Sequence, residues 1–139
     1  MLKIRPVEDA PGLYEILNEN GHSYLDMDSV RCKLGKQIKR ELKNTLVLVC
    51  QALKIQGIRC LSDFVEEGLL KKIDRNTRAA RHHLWEVRNP AHGGRIFFIM
   101  DDKGQIIVSA VDKYSKDSKA QEKAINRGLN RWEEFLSKS

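Results

Sequence analysis

The chain has 139 residues, a formal net charge of +6 and a pI near 9.3. That length suits one domain with one core, and 41% hydrophobic against 32% charged residues excludes disorder as the default. The positive balance points to a polyanionic partner, nucleic acid first among them, or to nothing more than a soluble basic protein.

The charge is uneven. Residues 1–30 hold two basic and six acidic side chains, net −4, whereas residues 31–54 hold seven basic and one acidic, net +6. Cys32, Cys50 and Cys60 form no CxxC or metal-type spacing, and an odd set in apolar surroundings suits reduced, buried thiols. No leader pattern opens the sequence and no apolar run approaches a membrane span, so a soluble cytoplasmic protein is expected.

In chain order, residues 1–12 contain Pro6, Pro11 and Gly12 and read as a loosely attached start to a single domain over 1–139. Residues 13–17 read as a strand, followed by the turn-rich Asn18, Glu19, Asn20 and Gly21. A long helix is expected over 30–54, capped by Asp28 or Ser29, whose short oxygen side chains accept from free N–H groups. Val30, Leu34, Ile38, Leu42, Leu46, Val49 and Leu53 recur every three or four residues as its buried stripe. Lys36, Lys39, Arg40 and Lys43 recur on the other side. They are either a solvated face or a contact for RNA phosphates or an acidic partner segment.

A second helix is expected over 62–73, with Ser62 as cap, acids early and lysines late, as the helix dipole prefers. Its inward residues are Phe64, Val65, Leu69 and Ile73, and with the first helix it makes an antiparallel hairpin on the sheet. Residues 75–83 read as a polar, basic link. Three strands follow: 84–88, 95–100 and 105–111. They are punctuated by Asn89, Pro90, Gly93 and Gly94, and then by Asp101, Asp102, Lys103 and Gly104, so they should pair antiparallel. Ser118 to Gln121 has capping-box spacing. The last helix then reaches Leu136 with Ala124, Ile125, Leu129, Trp132 and Leu136 on one face. The fold class is α+β: an antiparallel sheet, a helical hairpin and a C-terminal helix.

Cationic, imidazole and phenolic groups gather at the strand ends: Arg88, His92, Arg95, Lys113, Tyr114 and Lys116. Cleaving RNA needs little covalent equipment. The 2′-hydroxyl is the nucleophile, and the site must take its proton, steady an anionic phosphorane and protonate the leaving 5′-oxygen. Positive donors do the second by preorganised electrostatics, and His or Lys can move protons. No metal is needed. Loop-flanking charge and a half-buried aromatic explain the same residues equally well, and the residues alone do not single out a ribonuclease. His82 and His83 are adjacent, which on a strand puts them on opposite faces. Asp101 and Asp102 read as turn formers, and Gly93-Gly94 as a tight turn before a phosphate cradle.

LWEVR, GGRIFFIM and VSAVDKYSKDSKAQEKAINR, in that order, resemble the RelE/HigB toxin superfamily of bacterial toxin–antitoxin modules, in its HigB-like, phage-associated branch. Tyr14 to Gly21 is weakly similar to that branch's first strand and loop. The resemblance implies a twisted antiparallel RelE-like sheet and ribosome-dependent mRNA cleavage by metal-independent 2′-OH attack, with no cofactor. It also implies a cognate antitoxin, with mRNA and the ribosome as the other partners and no membrane. By position, it assigns Arg88 and Arg95 to the phosphate, His92 or Lys113 to proton transfer, and Tyr114 to orienting or stacking on a base. Lys116 would hold RNA. Asp112 stands beside that set, and Ala120 stands where the branch carries proline. The alternative is a non-catalytic relative on the same fold: a ParE-like gyrase-inhibiting toxin or a nucleic-acid-binding protein.

Overall fold

A computed structural model describes residues 3–74, 76–89, 93–100 and 104–138. Its spine is the run GRIFFIM, strand β5 (Gly94–Met100), buried at every position. A strand with apolar side chains on both faces needs cover on both, and it has it. Around it lie β1 (Lys3–Pro6), β2 (Leu13–Leu17), β3 (Leu70–Lys72), β4 (Leu84–Asn89) and β6 (Ile106–Lys113). The sheet order is β1-β2-β6-β5-β4-β3. Every neighbouring pair is antiparallel except β2 and β6, which run parallel. The fold is therefore α+β with a mixed sheet, and the expected all-antiparallel sheet is corrected at that one pairing.

The helices are α1 (Tyr24–Arg31), α2 (Lys36–Gln56), α3 (Leu61–Glu66), α4 (Thr77–Arg81) and α5 (Ser118–Lys138), with a 3₁₀ turn at Gly57–Cys60. Helix α2 covers one sheet face, where Leu42, Leu46 and Val49 meet Val87, Ile96, Phe98, Val108 and Val111. Helix α5 covers the other, where Ala124, Ile125, Leu129 and Trp132 meet Leu84, Phe97, Ile99 and Ala110. Gly128 lets α5 approach closely, since a Cβ there would lie 2.7 Å from Ser109 Oγ. Ser109 is the extra residue of a bulge opposite Phe97 and Phe98.

Several sequence expectations change. The start is not loose: β1 pairs with β2 along its length, and Val7 and Ala10 are buried. The long helix over 30–54 is two helices. Ser23, not Asp28 or Ser29, caps α1 by accepting from the Asp26 N–H. The chain then turns at Lys33 (φ 56°), where the Lys33 and Leu34 N–H groups donate to Val30 and Ser29 carbonyls and close the helix end. Val30 consequently leaves the stripe and is 78% exposed.

The second helix stops at Glu66. Gly68 (φ 76°) and Leu69 donate back to Val65 and Phe64, and Leu70–Lys72 become an edge strand instead. The hairpin is correspondingly short on one side. Within the polar link, Asn76 Oδ1 accepts from the Arg78 and Ala79 N–H groups and starts α4. The cap of α5 is Asp117, one residue before the expected Ser118, and Leu136 is exposed at its far end. Asp101 and Asp102 lie outside the described residues.

Cys50 and Cys60 are buried and Cys32 is half-buried, all three as free thiols. Burial pushes the Cys32 and Cys60 thiols up from their ordinary value. One stretch, Lys36–Glu66, does contain a window long and apolar enough by composition to cross a membrane, which corrects the expectation of none. The same stretch lays Leu42, Leu46 and Val49 into the core and breaks at Gly57 (φ 70°).

Candidate functional site

At one end of the β4–β5–β6 meander two successive rows of paired residues cross the sheet. Arg88 pairs with Arg95 and Arg95 with Asp112; one step on, Asn89 pairs with Gly94 and Gly94 with Lys113. Facing residues share a sheet face and successive residues alternate. The first row therefore lies on the α5 face and the second on the α2 face. Two contacts fix the assignment independently: a Cβ on Gly94 would lie 2.6 Å from Ile38 Cγ2, and Asn89 Nδ2 donates to Glu41 of α2.

Arg95 is 1% exposed. Its Nη2 donates to Asp112 Oδ2 at 2.9 Å and its Nη1 to the Ser115 carbonyl at 3.3 Å, with the guanidinium over the Phe97 ring. This side chain ties the end of β6 to β5 and is buried, with its two terminal nitrogens engaged by Asp112 and Ser115. A buried guanidinium persists only when paired and hydrogen-bonded, and removing one partner of such a pair costs about 3–5 kcal/mol.

Arg88 is half-buried. Its Nε lies 2.8 Å from Glu86 Oε1, an ion pair by proximity whose N–H is not aimed at the oxygen. Its guanidinium carbon sits 5.8 Å from the centre of the Tyr114 ring, within cation–π range. Tyr114 is anchored by its N–H to the Gly93 carbonyl, where Gly93 takes φ 80°. Glu86, which the alternation of LWEVR marks only as polar, is wholly buried under α5 and accepts from Gln121 Nε2. Lys116 is exposed a few residues beyond Tyr114.

Of the expected catalytic set, the fold brings Arg88, Arg95 and Tyr114 together. Lys113 projects exposed from the α2 face and does not share their side of the sheet. His92 lies outside the described residues. Lys36, Lys39, Arg40 and Lys43 gather elsewhere, lining with Glu8, Asp9 and Asn44 a hollow of about 630 Å³ between α2 and the β1–β2 turn. Lys39 Nζ there is 2.7 Å from Asp26 Oδ1, so the hollow is basic but partly neutralised.

His82 sits at the end of α4 with Nε2 3.0 Å from Glu133 Oε2, and exposed His83 takes φ 57°. The two follow a helix end rather than lying on a strand, and both line one hollow with Trp132 and Leu136. Among the described residues no three His, Cys, Asp or Glu side chains group as a metal site.

A second polar centre escaped the sequence altogether. Strand β2 accompanies β6 only through the pairs with Ile106, Ile107 and Val108, so β6 continues with a bare edge. Side chains fill it. Asp28 Oδ2 accepts from the Val111 N–H at 2.9 Å, and Arg131 Nη1 donates to the Ser109 carbonyl at 3.0 Å. Arg131 also grips both oxygens of Asp28, at 2.7 and 2.9 Å, while its guanidinium stacks 4.0 Å from the Tyr24 ring centre.

No protein-family model, curated protein or solved structure matches the chain.

Proposed function

We propose that this chain is the toxin of a toxin–antitoxin pair of the RelE/HigB kind, acting in the cytoplasm as a ribosome-dependent mRNA endoribonuclease. The observation that carries the proposal is the strand-end rim on the α5 face: Arg88 over the Tyr114 ring, backed by the buried Arg95–Asp112 pair. The element order adds support in outline: β2, the helices α1 to α3, the β4–β5–β6 meander and the closing α5 follow in the order the resemblance implies, with β1, β3 and α4 in addition to it. The basic Lys36–Lys43 hollow offers room for an RNA backbone or an acidic antitoxin segment.

The chemistry at this rim would need no metal. The 2′-oxygen loses its proton and bonds to phosphorus. The 5′-oxygen leaves and takes up a proton, giving a 2′,3′-cyclic phosphate and a 5′-hydroxyl. Arg88 is the residue to meet the phosphorane charge, by charge-assisted hydrogen bonds. Tyr114 offers a ring for base stacking, and Arg95 holds the rim in shape without touching RNA. Proton transfer falls to His92, or to Lys113 reaching over the strand end from the other face.

The test is induced expression with and without Arg88→Ala. The expected result is translation arrest with cuts confined to translated messages, and about 10²-fold weaker cutting in the variant. A specific observation favours a second reading: Arg95 is already neutralised by Asp112, and Lys113 lies across the sheet from Arg88. On that reading the same fold binds without cleaving, as a ParE-like gyrase inhibitor or a nucleic-acid-binding relative. Intact messages together with induced DNA-damage signalling would select it.

A further inference from the structure

The filled edge of β6 holds more positive charge than it uses. Asp28 is 2% exposed, and three arginines converge on it. Arg131 takes both its oxygens at 2.7 and 2.9 Å, and the Val111 N–H takes another lone pair. What remains for the others is poor: Arg31 Nη2 stands 3.4 Å from Oδ1, and Arg127 Nε 3.8 Å from Oδ2. Arg127 spends one N–H on the Val111 carbonyl at 3.4 Å, and its Nε finds no hydrogen-bond partner among the described residues. One carboxylate thus faces three guanidinium groups, two of them with donors to spare. Arg31 is 52% exposed and Arg127 21%, against 12% for Arg131, so Arg31 opens fully to solvent and Arg127 in part, its Nε itself being buried.

We propose that Arg31 and Arg127 form a phosphate-binding subsite on the seam between α1, β6 and α5. Planar guanidinium forks match phosphate oxygens in pairs, and an anion there would relieve the crowding of like charges around Asp28. The protein's electrostatics run the same way. Burial, together with the neighbouring Arg31 and Arg131, holds the Arg127 guanidinium below its ordinary value, whereas Asp28 and Asp112 pull the other way. Asp112 is the link to the rim: it pairs with Arg95 on the α5 face, where α5 carries Arg127. The occupant assigned to the subsite is a backbone phosphate of the RNA whose scissile group meets Arg88. That the phosphate belongs to RNA rests on the function proposed above; the capacity to bind phosphate does not.

The experiment follows the arginine Nε–Hε resonances of the whole chain by ¹⁵N NMR during titration. One arm uses inorganic phosphate and the other a short, uncleavable 2′-deoxy-substituted oligoribonucleotide. The expected result is that the Arg31 and Arg127 signals, assigned by their loss in Arg31→Gln and Arg127→Gln, shift in both arms. Each variant should weaken phosphate binding about tenfold, as loss of one charge-assisted contact implies. Exposed Arg59, remote on the 3₁₀ turn, serves as the silent control. Arg31→Gln, at the half-exposed partner, keeps the test decisive should Arg127→Gln fail to fold. Static Arg31 and Arg127 signals in both arms overturn the subsite, even if messages are cut and the ribonuclease reading stands. Shifts with free phosphate but none with the oligonucleotide overturn its assignment to RNA. Shifts in both arms from a protein that cuts no message uphold the subsite and remove the ribonuclease.

Discussion

The two faces of the same three strands are built on different principles. On the α2 face Val87, Ile96, Phe98, Val108 and Val111 meet Leu42, Leu46 and Val49, and nothing in that cluster needs a specific partner. On the α5 face the apolar cluster gives way toward the strand ends to Glu86, Arg88, Arg95 and Asp112, with Asp28 and Arg131 alongside. A dry face is held by area and shape, and it tolerates exchange of one apolar group for another. A face of buried charges is held only while every partner is present, and it stabilises less than an apolar core of equal volume. The difference teaches where to look for function. Charges kept out of water at one strand end, next to exposed Arg31 and Lys116, are what a fold selected for packing alone would shed.

Breaking the charged face should have the largest effect. Asp28→Asn keeps the volume but leaves three guanidinium groups around a neutral amide, and should cost about 3–5 kcal/mol, or roughly 10–20 °C in Tm. The matched break on the dry face is Leu46→Ala, which removes apolar volume at a site with no exposure and should cost a comparable 2–5 kcal/mol by leaving a cavity. A double-mutant cycle with Arg131→Gln separates the two mechanisms: the Asp28→Asn loss should be strongly non-additive with it, because Arg131 holds Asp28 directly, and the Leu46→Ala loss should simply add. Equal coupling of both to Arg131→Gln would mean that the faces are not held differently after all. A smaller effect, about 1–3 kcal/mol, is expected from Gly94→Ala, whose Cβ would meet Ile38 and Leu42 at 2.6 and 2.9 Å. Combining it with Ile38→Val should recover part of the loss, and no recovery would show that α2 does not press on that strand end.

The contrast also marks what was legible in the sequence. The meander was, because Gly93 and Gly104 take positive φ at its turns and GRIFFIM can only be a covered strand. The break between α1 and α2 was not. The apolar period runs on from Val30 through Leu34 to Ile38 although the chain turns at Lys33, a residue that seldom takes positive φ. Strand β3 hid in Leu70–Lys72, three residues with no period to read. For the site, the face of Lys113 was available in principle, since Asp112 and Lys113 must point to opposite sides of a strand. The burial of Arg95 was not, because it depends on cover from α5. Nor was Asp28, whose arginine lies 103 residues away in the chain.

The mildest test concerns a third ion cluster, which sits on α5 as the Asp28 centre does but remains in contact with water. Glu133 accepts from Arg78 at 2.6 and 3.3 Å and lies 3.0 Å from His82 Nε2. These hydrogen bonds, that from Arg78 foremost, hold the Glu133 carboxyl below its ordinary range and Arg78 above its own. A carboxyl depressed in the folded state stabilises fully above its unfolded pKa, and that contribution drains away as pH falls through the folded value. Glu133→Gln should therefore lower Tm by a small, constant amount near neutral pH, and the gap to the parent should close as the solution is acidified below the ordinary carboxylate range. Solvent screening keeps the effect well under that of Asp28→Asn. A gap that persists unchanged in acid would mean that α4 is held to α5 by packing around Trp132 rather than by this pair, and that charge matters on this helix only where it is buried.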